Sequence, residues 1–433
     1  MVWIHGGGYA IGTGSHIHAD LLAVTGGTVV VTINYRLNIF GFLATKGSPG
    51  NIGLWDQTLA LQWVQDNVLE FGGDAKKVTI FGESAGGTSV SQLALSPHTK
   101  GLFHRVISES GVLYSPWAWS HQQDELVAAV AKYLHCPRDS HMVDCFRQHS
   151  ALTIFVAATN ARNEVVKNMM GIPFAPVVDG DFFPESPMVT LQQKSSESYL
   201  RFISLDYMAG TMNAEGGLVI LALTSPNLPF NVSLGVPTSY VVKHAIPDEV
   251  TYFYDSSNRD KIQDAIIKVY AADPKVDIVT QGRKLVDMYG DMMFVAPTLQ
   301  LLREHANSTA PLHGTTYQFY FTHVPSHHMI PTMPWIKGAN HVDELPYVFG
   351  AKTMYPSGTN LTPEEQKLSL EIMRYWSNFA KTGNPNNGTG VTWPEFQTSN
   401  QSYIELGDAV QAKVNILPQR MRLWLEEIPN LLG

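Results

Sequence analysis

The period of apolar and polar positions changes several times along the chain. Residues 1–4 (MVWI) and 28–35 (TVVVTINY) are apolar almost throughout, the composition of strands buried on both faces. Residues 55–69 place Leu59, Leu61, Trp63, Val64 and Val68 at helical spacing and stop at Gly72-Gly73. Residues 78–81 (VTIF) return to strand character and run into Gly82-Glu83-Ser84-Ala85-Gly86-Gly87, after which 88–95 read as a helix carrying Val90, Leu93 and Ala94. Residues 105–109 (RVISE) form a further short strand. Strands and helices alternating in this order predict an α/β fold, a mostly parallel sheet with crossover helices.

Past residue 111 the pattern loosens. Residues 111–194 read as helices and loops rich in Trp, His and Pro, an insertion over one end of the sheet. Strand character returns at 202–210, and a second helical excursion covers 261–303, interrupted by Asp273-Pro274 and Pro297. A strand at 315–324, a Pro-broken segment at 325–334, a helix at 363–381, a short strand at 402–406 and a last helix at 418–427 follow. No repeat, low-complexity tract or linker divides the chain, so one domain over 1–433 is the simplest organisation. A chain rarely starts with a buried strand, so residues 1–4 predict further N-terminal strands missing from this sequence.

Composition narrows the classes. A net charge of −9 without a basic stripe excludes nucleic acid as an expected partner. No stretch approaches 18 consecutive apolar residues, so no transmembrane segment is expected. Neither HExxH nor a Cys-rich ligand pattern occurs, and no metal or organic cofactor is expected. Cys136 and Cys145 lie nine positions apart, a spacing that does not choose between a local pair and two unrelated thiols. Five Asn-x-Ser/Thr sequons start at Asn231, Asn307, Asn360, Asn387 and Asn400, all in polar, turn-like contexts, and tilt the compartment towards the secretory pathway although no signal peptide is visible.

The chemistry centres on Gly82-x-Ser84-x-Gly86. Strand, sharp turn and helix around this pentad make a nucleophile elbow, in which a Cβ at residue 82 or 86 would clash with the tightly turned backbone. A serine hydroxyl needs a base, and the base needs an acid to orient it. With this elbow the chain order is Ser, then Asp or Glu, then His. Glu215, five residues past Gly210, lies beyond a strand end. Asp179 and Asp181 compete from a turn between extended segments, and Asp206 lies inside the strand. Of the later histidines (His244, His305, His313, His323, His327, His328 and His341), loop placement favours His327, His328 and His341 equally. At the end of the first strand, His5-Gly6-Gly7-Gly8 offers backbone N–H groups unscreened by side chains, the material of an oxyanion hole.

Several motifs together resemble the type-B carboxylesterases, the family that includes the cholinesterases. They are His5-Gly6-Gly7-Gly8, Asn34-Tyr35-Arg36-Leu37 with Phe40-Gly41-Phe42, Gly50-Asn51 with Gly53-Leu54 and Asp56-Gln57, and Phe71-Gly72-Gly73-Asp74. Phe81 to Gly87, Ser108-Glu109-Ser110-Gly111 and the segment around His341 complete the set. The resemblance implies an α/β-hydrolase fold with Ser84 as nucleophile, Glu215 as acid, His341 as base, and Gly7, Gly8 and Ala85 as oxyanion donors. It also implies a Cys136–Cys145 disulfide, an Arg36–Asp56 ion pair beneath the site, and supporting roles for Glu83 and Ser110, the latter bonded to Glu215. The expected activity is hydrolysis of small carboxylic esters, with an acid limb near pH 6.5, the ordinary histidine value. The family has further strands, a disulfide and often a ligand-contacting aromatic before the HGGG motif, and none is in this sequence. Residues 430–433 carry no ER-retention tetrapeptide, which favours secretion over retention in the ER lumen. The family also contains catalytically silent, neuroligin-like adhesion proteins that commonly lack the nucleophile, as well as lipases and cholinesterases. Trp117, Trp119, Phe321 and Trp335 read either as lining for a substrate gorge or as core.

Overall fold

A computed structural model of the chain describes residues 1–432 apart from 167, 169–170, 224–227, 255, 308–309, 351–359 and 389. Eight strands make its main sheet: β1 Val2–Ile4, β2 Val31–Thr32, β3 Thr79–Glu83, β4 Arg105–Glu109, β5 Asp206–Met212, β6 Thr316–Phe321, β7 Ser402–Leu406 and β8 Val410–Val414. Their order is β8-β7-β6-β5-β4-β3-β1-β2, parallel throughout except for the β7–β8 pair.

Alternate residues of these strands feed two cores, one on each face. Ile4, Ile80, Val106 and Tyr207 join one; Trp3, Phe81, Ile107, Met208 and Phe319 join the other. Burial on both faces is why these strands read as continuous apolar runs rather than alternating ones. Helix α1 (Ile52–Asn67), helix α2 (Ala85–Leu95) and helix α4 (Ala296–Ala306) contribute Leu61, Val90, Leu93 and Leu299 to the first core; helix α3 (Glu197–Ser204), between α2 and α4 in sequence, adds Phe202. Helix α5 (Pro363–Thr382) covers the second face with Ile372, Met373, Trp376 and Phe379. Its ends are written in the sequence. Thr362 and Glu365 form a reciprocal capping box, Pro363 opens the first turn, and Gly383 closes the helix at φ 78°.

Four expectations shift. The run at 28–35 yields a ladder of two residues, half-buried, because β2 is the sheet edge and pairs only with β1. The strand expected at 202–210 begins later: Ser196 caps α3, which holds 202–204, and β5 extends to Met212. Leu59 and Trp63 on α1 face solvent at 70% and 47% exposure, while Leu61 and Val64 are buried. Pro297 does not interrupt its helix, because a wider π turn over Asp291–Val295 just before it shifts the helical bonding where the proline falls. β8, a polar edge strand after Gly407-Asp408, and the continuation of the last helical stretch to Leu432 were not anticipated.

Candidate active site

The carboxyl ends of β1, β3, β4 and β5 stand side by side, so the residues following each strand converge. Ser84 follows β3 directly and is held at φ 57°, ψ −122°, a left-handed conformation that a serine adopts only under constraint. The neighbouring glycines make the turn possible. A Cβ on Gly82 would lie 2.5 Å from the Ile4 carbonyl oxygen, and one on Gly86 only 1.9 Å from it. The Ser84 amide donates to the Glu109 carbonyl at 2.8 Å, tying the elbow to β4.

Beyond β1, Gly7 and Gly8 take φ 105° and 60°, and a Cβ on Gly7 would meet the Ile11 carbonyl at 2.3 Å. Tyr35 anchors this turn, its hydroxyl donating to the His5 carbonyl at 2.8 Å and its ring stacked on the imidazole. A Cβ on Gly6 would lie 2.9 Å from Ser84 Cβ, so the turn runs against the serine. Among the described residues the amides of Gly7, Gly8 and Ala85 meet no backbone acceptor, and Ala85 opens α2, where N–H groups have no partner within the helix.

Glu215 and His341, 126 positions apart, are brought to 2.7 Å between Oε2 and Nδ1. The other oxygen, Oε1, accepts from Ser110 Oγ at 2.5 Å and from the Met212 amide at 2.8 Å. Their two turns are stitched together: Ala214 N donates to Ala339 O at 2.9 Å and Ala339 N to Asn213 Oδ1 at 2.7 Å. Because a carboxylate only accepts, Nδ1 carries the proton and Nε2 is left as the basic nitrogen. That nitrogen faces Glu83 Oε1 at 3.0 Å. No hydrogen bond joins it to the Ser84 hydroxyl among the described residues, although Ser84 belongs to the same buried cluster of strand ends at 9% exposure.

Three further carboxyls crowd behind this group. Strand register sets Glu83 beside Glu109 at the ends of β3 and β4, and Glu344 follows His341 by three residues; all are buried. Burial, with the neighbouring acids, pushes Glu83 and Glu109 each up to about 8 and Glu344 well above the carboxyl range. Trp376 Nε1 donates to Glu109 at 2.7 Å. Burial by itself would lower the His341 pKa, but Glu83, Glu215 and Asp343 outweigh it and raise it to about 9. Glu109 and Glu344 have no role assigned from sequence; the signal for Glu109 is an acidic residue at the end of an apolar run, and no local pattern marks Glu344.

The competing candidates lie elsewhere in the bonding pattern. Asp179 organises its own turn by accepting from Asn51, Asp181 and Phe183. Asp206 pairs with Arg105 at 3.0 Å, and His98 reaches Asp181. His323 lies between Asp408 and Glu365, His328 on Asp343, and His327 beside Ser326. His305 is buried against Thr316 and Leu205, and His313 Nε2 donates to the His305 carbonyl; His244 stacks on Tyr240. Arg36 and Asp56 form the expected bidentate pair at 2.8 and 2.7 Å, with the guanidinium more than half exposed. Trp117 packs on Phe294, whose ring lies 4.9 Å from that of His341, while Trp119 packs on Phe183, Phe321 on Tyr347, and Trp335 bonds to Val232. Cys136 and Cys145 are bridged, with His149 against the Cys136 sulfur. Asn231, Asn307, Asn360, Asn387 and Asn400 are all exposed; Ser308, Thr309 and Thr389 of two sequons lie outside the described residues.

A mostly parallel sheet with a serine on a strained strand–helix turn, and a carboxylate and an imidazole arriving later in the chain at the same sheet edge, is the architecture of the α/β-hydrolases. A model of the Carboxylesterase family matches residues 1–424, and the chain belongs to that family. It is 34% identical to carboxylesterase 5A of Mus musculus over the whole of this chain and 71% of that protein. Bile salt-activated lipase of Bos taurus is 34% identical over 98% of this chain and 71% of its own length. Neuroligin-2 of Mus musculus is 31% identical across the whole chain, which spans 51% of that relative.

Proposed function

We propose that this protein hydrolyses small carboxylic esters through an acyl-enzyme on Ser84. The observation that carries the reading is the Glu215–His341 pair at 2.7 Å beside the Ser84 elbow. His341 Nε2 takes the Ser84 proton as Oγ attacks the ester carbonyl; the oxyanion meets the amides of Gly7, Gly8 and Ala85, each worth on the order of 3 kcal/mol in the transition state. His341 then protonates the leaving alcohol, and water repeats the sequence on the acyl-enzyme. Glu215 keeps Nδ1 protonated and stabilises the imidazolium. The first step requires Nε2 to exchange its Glu83 neighbour for Ser84 Oγ, a tightening that serine enzymes undergo on binding substrate. The test is covalent labelling: a fluorophosphonate should modify Ser84 of the folded protein, and Ser84→Ala should lose labelling together with about 10⁵-fold or more of turnover. Folded protein that resists the probe and cleaves no ester in a panel of acyl and choline esters would refute it.

A second reading, an adhesion or interaction protein without catalysis, is favoured by the matches to neuroligin-2 and neuroligin-3. Against it stand Ser84, Glu215 and His341, retained together and brought to one sheet edge. The bridged cysteines and the exposed sequons support a secreted or ER-lumenal, glycosylated protein.

A further inference from the structure

The turn that carries His341 contains a strained residue. Val342 sits at φ 69°, left-handed backbone that a β-branched side chain takes up only when its surroundings force it. The force is visible in Asp343, which is wholly buried. Its Oδ2 accepts from the Asn340 amide at 2.7 Å and from His328 Nδ1 at 2.6 Å, and its Oδ1 accepts from the Met329 amide at 2.9 Å. The Asn340 side-chain amide also lies 3.4 Å from His328 Nδ1. Asp343 therefore grips the residue before His341 from one side and, at His328 and Met329, the Pro-broken segment 325–334 from the other. Neither His328 nor Asp343 has a hydrogen bond or ion pair to Ser84 or Glu215 among the described residues. Apart from the Asp343 charge that helps raise His341, both reach the imidazole through the backbone of its own turn.

We propose that the His328–Asp343 pair is a positioning device for His341. It holds Val342 in its left-handed conformation and so fixes the line along which the imidazole meets Glu215 and Ser84. The inference rests on the ester-hydrolase reading and deepens it, giving a role to a histidine that loop placement alone ranked level with His341. Strain and clamp are coupled in this account. A glycine at 342 adopts φ 69° freely, so removing the clamp should matter far less once Val342 is gone.

The test compares wild type, His328→Ala, His328→Asn, Asp343→Asn, Val342→Gly and the double variant Val342→Gly/His328→Ala, each checked for an intact melt. With a p-nitrophenyl ester, His328→Ala should lower kcat by about 10-fold to 100-fold, the scale of an ångström-sized misplacement, with KM nearly unchanged. His328→Asn, which keeps a donor near the Nδ1 position, should recover most of the loss. In the Val342→Gly background the same His328→Ala change should cost less than about threefold. An unchanged kcat in His328→Ala, or an equal loss in both backgrounds, would overturn the proposal. If wild type neither labels nor hydrolyses, the esterase reading fails, and this inference is then decided by the low-field proton resonance of His341 Nδ1–H. His328→Ala must shift or broaden that resonance and the double variant must restore it; an unmoved resonance would again overturn the proposal.

Discussion

His341 Nε2 and Glu83 Oε1 stand 3.0 Å apart, both side chains almost wholly buried, so the basic nitrogen of the imidazole faces a carboxyl rather than the serine hydroxyl. Each is fixed separately: Glu83 by strand register one residue before Ser84, and His341 by its bond to Glu215. Whatever changes the charge on one changes the basicity of the other.

That coupling sets a pH dependence. His341 is raised to about 9, with Glu83 and Glu215 outweighing burial. A protonated imidazole cannot accept the Ser84 proton, so activity rises as pH climbs through the His341 pKa. The acid limb of kcat/KM should therefore lie above pH 6.5, not at the ordinary histidine value expected from sequence. Glu83→Gln removes one of the groups that raise His341 and should move the limb towards acid. Rate profiles from about pH 5 to about pH 10 for both proteins measure this, and a wild-type limb at or below about 6.5 would contradict it.

The elbow makes a steric prediction. Ala at Gly86 would thrust its Cβ to 1.9 Å from the Ile4 carbonyl, and neither backbone has room to retreat inside the sheet. Gly86→Ala should destabilise the protein by more than about 3 kcal/mol, at the severe end for single substitutions. Gly101→Ala, where nothing lies within 4 Å but φ is 79°, should cost about 1–2 kcal/mol, the left-handed penalty alone. Denaturant melts of the pair would reveal whether space or backbone conformation dominates; equal losses would contradict the steric account.

Much of this site could be read from residues 82–87, because a nucleophile elbow constrains neighbours in sequence: the two glycines, the serine and the start of α2 are local features. The acid and base were harder, because their selection is made by contacts across 126 positions. Physical reading could narrow the base only to three loop histidines, and only the family resemblance chose among them. In the fold, the interior strands were legible as apolar runs, β5 with its start misplaced into α3, whereas β2 and β8 were misjudged or missed. An edge strand has one neighbour, so its composition reports solvent as much as pairing. The buried acids Glu109 and Glu344 escaped because sequence does not show that three strands and a loop will press their carboxyls together.

A buried ion pair near the carboxyl end offers a test of stability away from the chemistry. Asp291 is fully buried, receives the Tyr270 hydroxyl at 2.6 Å, and is held by Arg420 through a bond of 2.6 Å from its guanidinium. Arg420→Leu leaves that carboxylate uncompensated and should cost about 3–5 kcal/mol. Replacing Asp291 by Leu in the same protein should recover a large part of the loss, since the fully buried charge is then gone and Asp287, which also pairs with Arg420 at 3.2 Å, is partly exposed. Chemical denaturation of the single and double variants measures it, and a double variant no better than the single would show that packing, not charge, was lost.

The three crowded acids predict how stability depends on pH. Glu83 and Glu109 are each raised to about 8, and Glu344 is raised well above the ordinary glutamate value, all first by burial. Unfolded, each returns to the ordinary glutamate value of about 4.3. Between those limits the folded state holds protons that the unfolded state has released, so folding is favoured at low pH and the advantage drains away as pH rises towards the folded values. Glu109→Gln removes one such group while keeping an oxygen to accept from Trp376 Nε1, the donor now 2.7 Å from Glu109. Its melting temperature should fall less than that of wild type between about pH 5 and about pH 8.5, the window those shifts define. Parallel slopes for the two proteins across that range would mean that Glu109 is ionised in the folded state and that the crowding does not hold its proton.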